Sequence, residues 1–203
     1  MRLVVANLKG GTAKTTTAVF LAHGLATDGP TLLVDADPQG SALSWSETAG
    51  ALPFPVVAMP VTNLHRQLDA LAGPYRHVVI DTPPGHVGIV ASALRCASVV
   101  IVTVQPTVMD VDRLSATLDL MAEVAALGQP GVVRVLLTRV RPRTRSRRDV
   151  RQVLGEDGIE ILDAEVPQRE TVALAGGTII DDLGDYAQVL AELQALEVEE
   201  ART

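Results

Sequence analysis

The chain has few side chains that react through sulfur and few that stack. Its 203 residues include one cysteine, Cys96, and among aromatics only one Trp, two Tyr and two Phe. A lone thiol forms neither an internal disulfide nor a metal–thiolate cluster, which suits a reducing cytoplasm. So few rings argue against a stacking platform for single-stranded nucleic acid. The histidines, His23, His65, His77 and His86, lack ligand spacing and read as surface or edge residues. No apolar run approaches the roughly eighteen residues of a membrane span, because Arg95 and Gln105 interrupt the longest one. A strand opening at Leu3 leaves no expected place for a signal peptide. Lysine is almost absent too: Lys9 and Lys14 are the only ones, and every other basic side chain is arginine.

What remains, 47% hydrophobic and 20% charged, is the composition of one globular domain over 1–203 that buries its own core. Both lysines fall in Asn7-Leu8-Lys9-Gly10-Gly11-Thr12-Ala13-Lys14-Thr15-Thr16, between the apolar run Leu3 to Ala6 and the helical pattern that starts at Thr17. A strand that passes through a glycine turn into a helix makes an anion cradle. Gly10 and Gly11 let backbone N–H groups face inward, and the helix adds its positive dipole end. Lys14 would neutralise β- and γ-phosphates and the Thr15 hydroxyl would ligate Mg²⁺. The usual G-x-x-x-x-G-K-[ST] spelling is broken twice, since Leu8 and Ala13 stand where glycines belong.

The spelling Lys9-Gly10-Gly11-x-x-Lys14-Thr15-Thr16 resembles the deviant Walker A motif of the ParA/MinD family of ATPases. The resemblance implies ATP and Mg²⁺ as ligands of residues 9–16: Lys9, Gly10, Gly11, Thr12, Ala13, Lys14, Thr15 and Thr16. It also implies a nucleotide-sandwich homodimer in which Lys9 reaches the partner's phosphates. Asp35-Ala36-Asp37-Pro38-Gln39-Gly40 is similar to the family's switch I. There Asp37 would position the attacking water, so that Lys9, Lys14 and Asp37 form the catalytic set, and Asp35 would support the Mg²⁺ shell. Asp81-Thr82-Pro83-Pro84-Gly85 resembles switch II, with Asp81 holding Mg²⁺ through water. Metal residues are then Thr15, Asp35 and Asp81. Adenine is implied to lie against Thr138-Arg139 and Val166-Pro167.

Both acidic motifs follow short apolar runs, and carboxylates at strand C-termini sit where open α/β sheets bind ligands. The alternation predicts an α/β fold, a doubly wound and mostly parallel sheet with helices on both faces. Strands are expected at 56–58 (an edge), 98–104, 131–138 and 159–162, with a turn at 166–169. Helices are expected from about residue 14 to Thr27, from Asn63 as N-cap, near 87–94, over 110–127 and over 184–200.

The net charge of −7 disfavours a nucleic-acid partner until its distribution is considered. Arg134, Arg139, Arg141, Arg143, Arg145, Arg147, Arg148 and Arg151 lie in one segment whose only acid is Asp149. Such density makes a local field that charges beyond a Debye length of about 8 Å screen poorly. The residues from Arg139 to Arg151 are therefore the expected surface for non-specific double-stranded DNA, placing the protein on the nucleoid. The resemblance implies an ATP-dependent switch that partitions a plasmid or chromosome, or alternatively positions a protein cargo; no helix-turn-helix is expected ahead of the loop, so recognition would fall to a separate centromere- or cargo-binding adaptor protein. A MinD-like membrane cycle is disfavoured by the acidic end Glu197-Val198-Glu199-Glu200, which anionic lipid repels. A nitrogenase-type reductase lacks its cluster cysteines. A carboxylate ligase of the dethiobiotin synthetase type remains as the rival of a different class.

Overall fold

The computed structural model describes residues 1–107, 114–128 and 131–200. Seven strands form one parallel sheet: β1 (Arg2–Ala6), β2 (Thr31–Asp35), β3 (Val56–Ala58), β4 (His77–Asp81), β5 (Val99–Val104), β6 (Val132–Val140) and β7 (Ile161–Pro167), in the order β3-β2-β4-β1-β5-β6-β7. The helices are α1 (Lys14–Leu25), α2 (Ser41–Ala49), α3 (Leu64–Ala72), α4 (Val87–Leu94), α5 (Leu114–Ala125), α6 (Arg145–Glu156), α7 (Glu170–Leu174) and α8 (Tyr186–Glu200).

The period of two along each strand divides the core. Val4, Val34, Ile80 and Val102 face α3, α4, α5 and α6, while Leu3, Val5, Leu33, Val79 and Ile101 face α1, α2 and α8. Central strands covered on both faces need the unbroken Val/Ile/Leu runs that this sequence supplies. β1 lies between β4 and β5, and the chain winds outward from it both ways. Its C-terminal end is thus the switch point, where the helix dipole of α1 and the acids that end β2 and β4 converge.

Several expectations need correction. β7 runs from Ile161 to Pro167, so Val166 and Pro167 finish a strand instead of forming a turn, and the last two residues of β6 extend past Thr138. The short helix α7 had no periodic signal. Asn63 occupies the N-cap of α3, yet its side chain accepts Gln67 Nε2 at 2.9 Å and caps no backbone N–H. His77 is buried, its Nε2 2.9 Å from Asp28 Oδ2, whereas His23 and His65 are half-buried and His86 is exposed. The expected helix start at 110 lies outside the described residues, as do the last three residues.

The free edge of β7 is closed by α8. The Glu192 carboxylate accepts the backbone N–H groups of Asp163 and Ala164 at 2.9 and 2.7 Å. At the start of α8, Tyr186 is fully buried, stacked on Phe20 with ring centroids 4.7 Å apart, and its hydroxyl lies 3.0 Å from Thr17 Oγ1. Burial pushes that phenol up to about 12. Replacing Tyr186 by Phe keeps the ring and strands the buried Thr17 hydroxyl, so unfolding free energy in urea is expected to fall by about 1–3 kcal/mol. An unchanged midpoint would show that the bond contributes nothing.

Candidate functional site

The loop between β1 and α1 is held by buried polar side chains on neighbouring strands. Thr103 Oγ1 donates to Thr12 Oγ1 at 3.0 Å, and Thr138 Oγ1 donates to the Thr12 carbonyl at 3.1 Å. Asn7 Nδ2 donates to the Thr103 carbonyl at 2.8 Å, while Asn7 Oδ1 accepts the Lys9 N–H at 2.8 Å and the Thr117 hydroxyl at 3.3 Å. Gln105 Nε2 reaches the Gly11 carbonyl at 2.6 Å. The switch II turn joins the same loop through Gly85 N–H to the Leu8 carbonyl at 3.0 Å. Ala13 holds φ +67°, a left-handed conformation that costs a non-glycine residue roughly 1–2 kcal/mol, so these anchors keep the loop curled against its local preference.

Lys14 is buried and its Nζ donates to the Lys9 carbonyl at 2.9 Å, closing the loop on itself. Burial lowers its pKa, and Asp81 and then Asp37 oppose that shift. Asp35 and Asp81 are register partners at the ends of β2 and β4, both fully buried. Their surroundings differ. Asp35 Oδ1 accepts the Asp37 N–H at 3.1 Å and Oδ2 the Leu43 N–H at 2.9 Å, so Asp35 anchors the switch I turn to α2. Burial raises its pKa, and those backbone donors restrain the rise. Neither Asp81 oxygen has a hydrogen-bond partner among the described residues. Burial pushes its carboxyl up to about 7, Asp35 and Asp37 add to the rise, and the Thr15 and Lys14 side chains oppose it. A buried carboxylate that accepts no backbone N–H and has only the Thr15 hydroxyl as a side-chain donor beside it has the chemistry for a hard divalent cation that keeps most of its water. Among the described residues no three His, Cys, Asp or Glu gather as an all-protein metal cage.

Two adjoining cavities lie over the loop. One of about 210 Å³ is lined by residues 11–16 with Asp37, Pro84 and Arg139. The other, about 150 Å³, is lined by Ala13, Thr16, Thr138, Arg139, Val166, Pro167 and Tyr186 among others. Residues 11–16, expected at the phosphates, line the first cavity, and the two distant segments expected at adenine, Thr138-Arg139 and Val166-Pro167, share a wall of the second. Not expected from the sequence were Asn7 as a side-chain anchor, Thr103, Thr117, Gln105 and Tyr186; single threonines in otherwise apolar runs were the available signal.

The arginine segment divides in two. Arg139, Arg141, Arg143, Arg145 and Arg148 are exposed. Arg147 and Arg151 both bind Glu165 on β7 at 2.5 Å, Arg134 binds Glu160, and Arg145 lies 4.0 Å from Asp149. Acids distant in sequence thus neutralise part of the segment, which the count of one local acid did not anticipate.

Residues 3–179 match the CobQ/CobB/MinD/ParA nucleotide binding domain (CbiA) family. The maintenance of carboxysome distribution protein A of Gloeobacter kilaueensis is 36% identical, over 94% of this chain and 93% of its own length. The chromosome partitioning protein ParA of Caulobacter vibrioides is 27% identical, over 85% and 82%. Among solved structures, an ATP complex of Cyanothece McdA superposes with a TM-score of 0.77 at 19% identity, covering 97% of this chain and 94% of that one, which is a likeness of fold.

The raised pKa of Asp81 carries a sign. The folded state holds a proton that the unfolded chain, near 3.8, has released, so stability of the ligand-free protein falls as pH rises through that window. The expected contribution is up to about 1.4 kcal/mol per pH unit between roughly pH 4 and 7. Urea titrations across that range should show a shallower pH dependence for Asp81→Asn than for the parent; parallel profiles would refute the assignment.

Proposed function

The chain belongs to the CobQ/CobB/MinD/ParA nucleotide-binding family, a family of P-loop ATPases, and from that membership we propose that it is an ATP-driven dimerising switch that uses non-specific DNA as its matrix to position a cargo through a separate adaptor protein. One observation carries the nucleotide part of this reading: a curled loop with Lys14 at its centre, next to Asp81, a fully buried carboxylate that accepts no backbone N–H.

In the proposed cycle the loop N–H groups and Lys14 hold the β- and γ-phosphates, and Lys9 pairs with the partner's phosphates in trans. Thr15 and Asp81 would hold Mg²⁺, with Asp35 behind them; when bound, the ion neutralises charge on the β- and γ-oxygens. Asp37 is half-buried at the cavity wall, and its backbone is fixed by Asp35. It orients a water whose oxygen attacks the γ-phosphorus as the bond to the bridging oxygen breaks. Positioning and charge stabilisation supply most of the acceleration in such transfers. Loss of the γ-phosphate opens the dimer and separates its two arginine faces.

The cargo reading follows the relatives. The Gloeobacter protein is named for carboxysome distribution, which favours a protein assembly, and the Caulobacter protein for chromosome partitioning, which supports a replicon as the second reading. The work proposed is cytoplasmic and nucleoid-associated, for one domain over 1–203. Among the described residues no helix is long and apolar enough to cross a membrane.

The exposed arginines of α6 and the loop before it are the proposed DNA contacts. Binding to random duplex DNA is expected with ATP and not with ADP, and log affinity should fall with log salt at a slope of about −4 to −5 if four to six arginines per dimer touch phosphates. A flat salt response would sink the DNA surface, equal binding with either nucleotide would sink the ATP switch, and no binding in any nucleotide state would make lipid vesicles and small carboxylates the next ligands to try. Lys14→Ala should lose nucleotide binding; Asp37→Ala should keep ATP-dependent dimers and lose turnover, and its assignment fails if hydrolysis is unchanged.

A further inference from the structure

Arg139 stands apart from the other arginines of its segment. Pairing between β6 and β7 sets Thr138 opposite Val166 and Val140 opposite Pro167, so Arg139 is an extra residue that the ladder skips. Its φ is +50°, the left-handed region that a long side chain avoids. The flanking residues enforce this. Thr138 is buried and tied to the Thr12 carbonyl at 3.1 Å, while Val140 is buried in the core on the far side. A bulge of this kind turns one side chain out of the alternation of its strand, and such bulges gather beside active sites.

The place to which it is turned is specific. Ala13, Thr16 and Arg139 are the residues shared by the phosphate cavity and the purine-side cavity, and Arg139 is the one among them that carries charge. That seam is where the inner phosphates of a nucleotide must pass. Arg134, Arg147 and Arg151 are each committed to a glutamate and Arg169 to Asp185; Arg139 shares with Arg141, Arg143 and Arg148 the lack of an ion pair among the described residues, and of these four it is the one that lines the two cavities. Its positive charge also reaches Tyr186 on the purine-side wall.

We propose that Arg139 is a nucleotide cation acting in cis on the inner phosphates, complementing Lys14 on the outer ones, and that the bulge in β6 aims it there and away from the DNA-facing arginines. The assignment rests on the reading of the cavities as a nucleotide site. It takes Arg139 out of the DNA surface, and it makes the end of β6 the place where nucleotide binding is felt by the chain leading to Arg141, Arg143 and α6.

The test titrates fluorescent ATP and ADP into the parent, Arg139→Met, Arg139→Lys and Arg139→Gly without DNA, and then measures duplex DNA binding at saturating ATP. Met and Gly are expected to weaken ATP and ADP alike by about tenfold, the scale of one charge-assisted hydrogen bond, and Lys by less. Glycine adopts a positive φ freely, so Arg139→Gly should resist urea at least as well as the parent, which separates lost affinity from lost folding. DNA affinity at saturation should stay within twofold. Unchanged nucleotide affinity together with weaker DNA binding would return Arg139 to the DNA face. A loss confined to ATP would move it to the outer phosphate and overturn the proposal. Failure of the parent to bind either nucleotide would instead overturn the underlying ATPase reading, and this assignment with it.

Discussion

The site depends on how Thr12 is held. Two strands that do not carry the loop, β5 and β6, each present a buried threonine to this residue: Thr103 bonds its hydroxyl and Thr138 its carbonyl. The loop cannot relax without breaking both bonds in a place water does not reach, where an unmade bond is most costly. Ala13 can therefore stay left-handed in the position where a glycine would sit at ease. The same Thr138 fixes the end of β6, so the curl of the loop and the exit of the strand toward the arginine segment share one anchor.

Charge in this molecule is organised by folding more than by order along the chain. Asp35 and Asp81 are neighbours in the sheet and nearly identical in burial, yet one is satisfied by backbone N–H groups and the other has no such donor. The first serves the turn, and the second is the carboxylate proposed for a cation. The arginines separate in the same way, because Glu165 sits on β7 where the α6 face carrying Arg147 and Arg151 passes over it.

Much of this was legible beforehand. A glycine-bearing loop between a strand and a helix, and acids at strand ends, leave short spellings in the chain, so residues 9–16, Asp37 and Asp81 could be marked as candidates from those spellings and the family they resemble. The central strands were legible because burial on both faces demands uninterrupted apolar runs. What stayed hidden was set by pairing between distant segments. Thr103 looks like an ordinary strand residue until Thr12 is placed beside it, and His77 looks solvent-facing until Asp28 is. β7 carries Asp163, which is exposed, and Glu165, which pairs with Arg147 and Arg151, between its apolar residues, and that alternation hid its length. The left-handed turn at Arg139 has no sequence signal at all, since it sits at a register shift against another strand.

The carboxylate of Glu192 has a consequence for how copies of this protein can meet. An outermost strand with free N–H groups is a template onto which another chain can add a strand of its own, and accretion of that kind has no natural end. By occupying the N–H groups of Asp163 and Ala164, α8 blunts this template from within the same chain. At the opposite border of the sheet, β3 is only three residues long and offers little to extend. Self-association is thereby steered away from open-ended growth of the sheet and toward surfaces that can close on a partner and separate again, as the proposed switch would require.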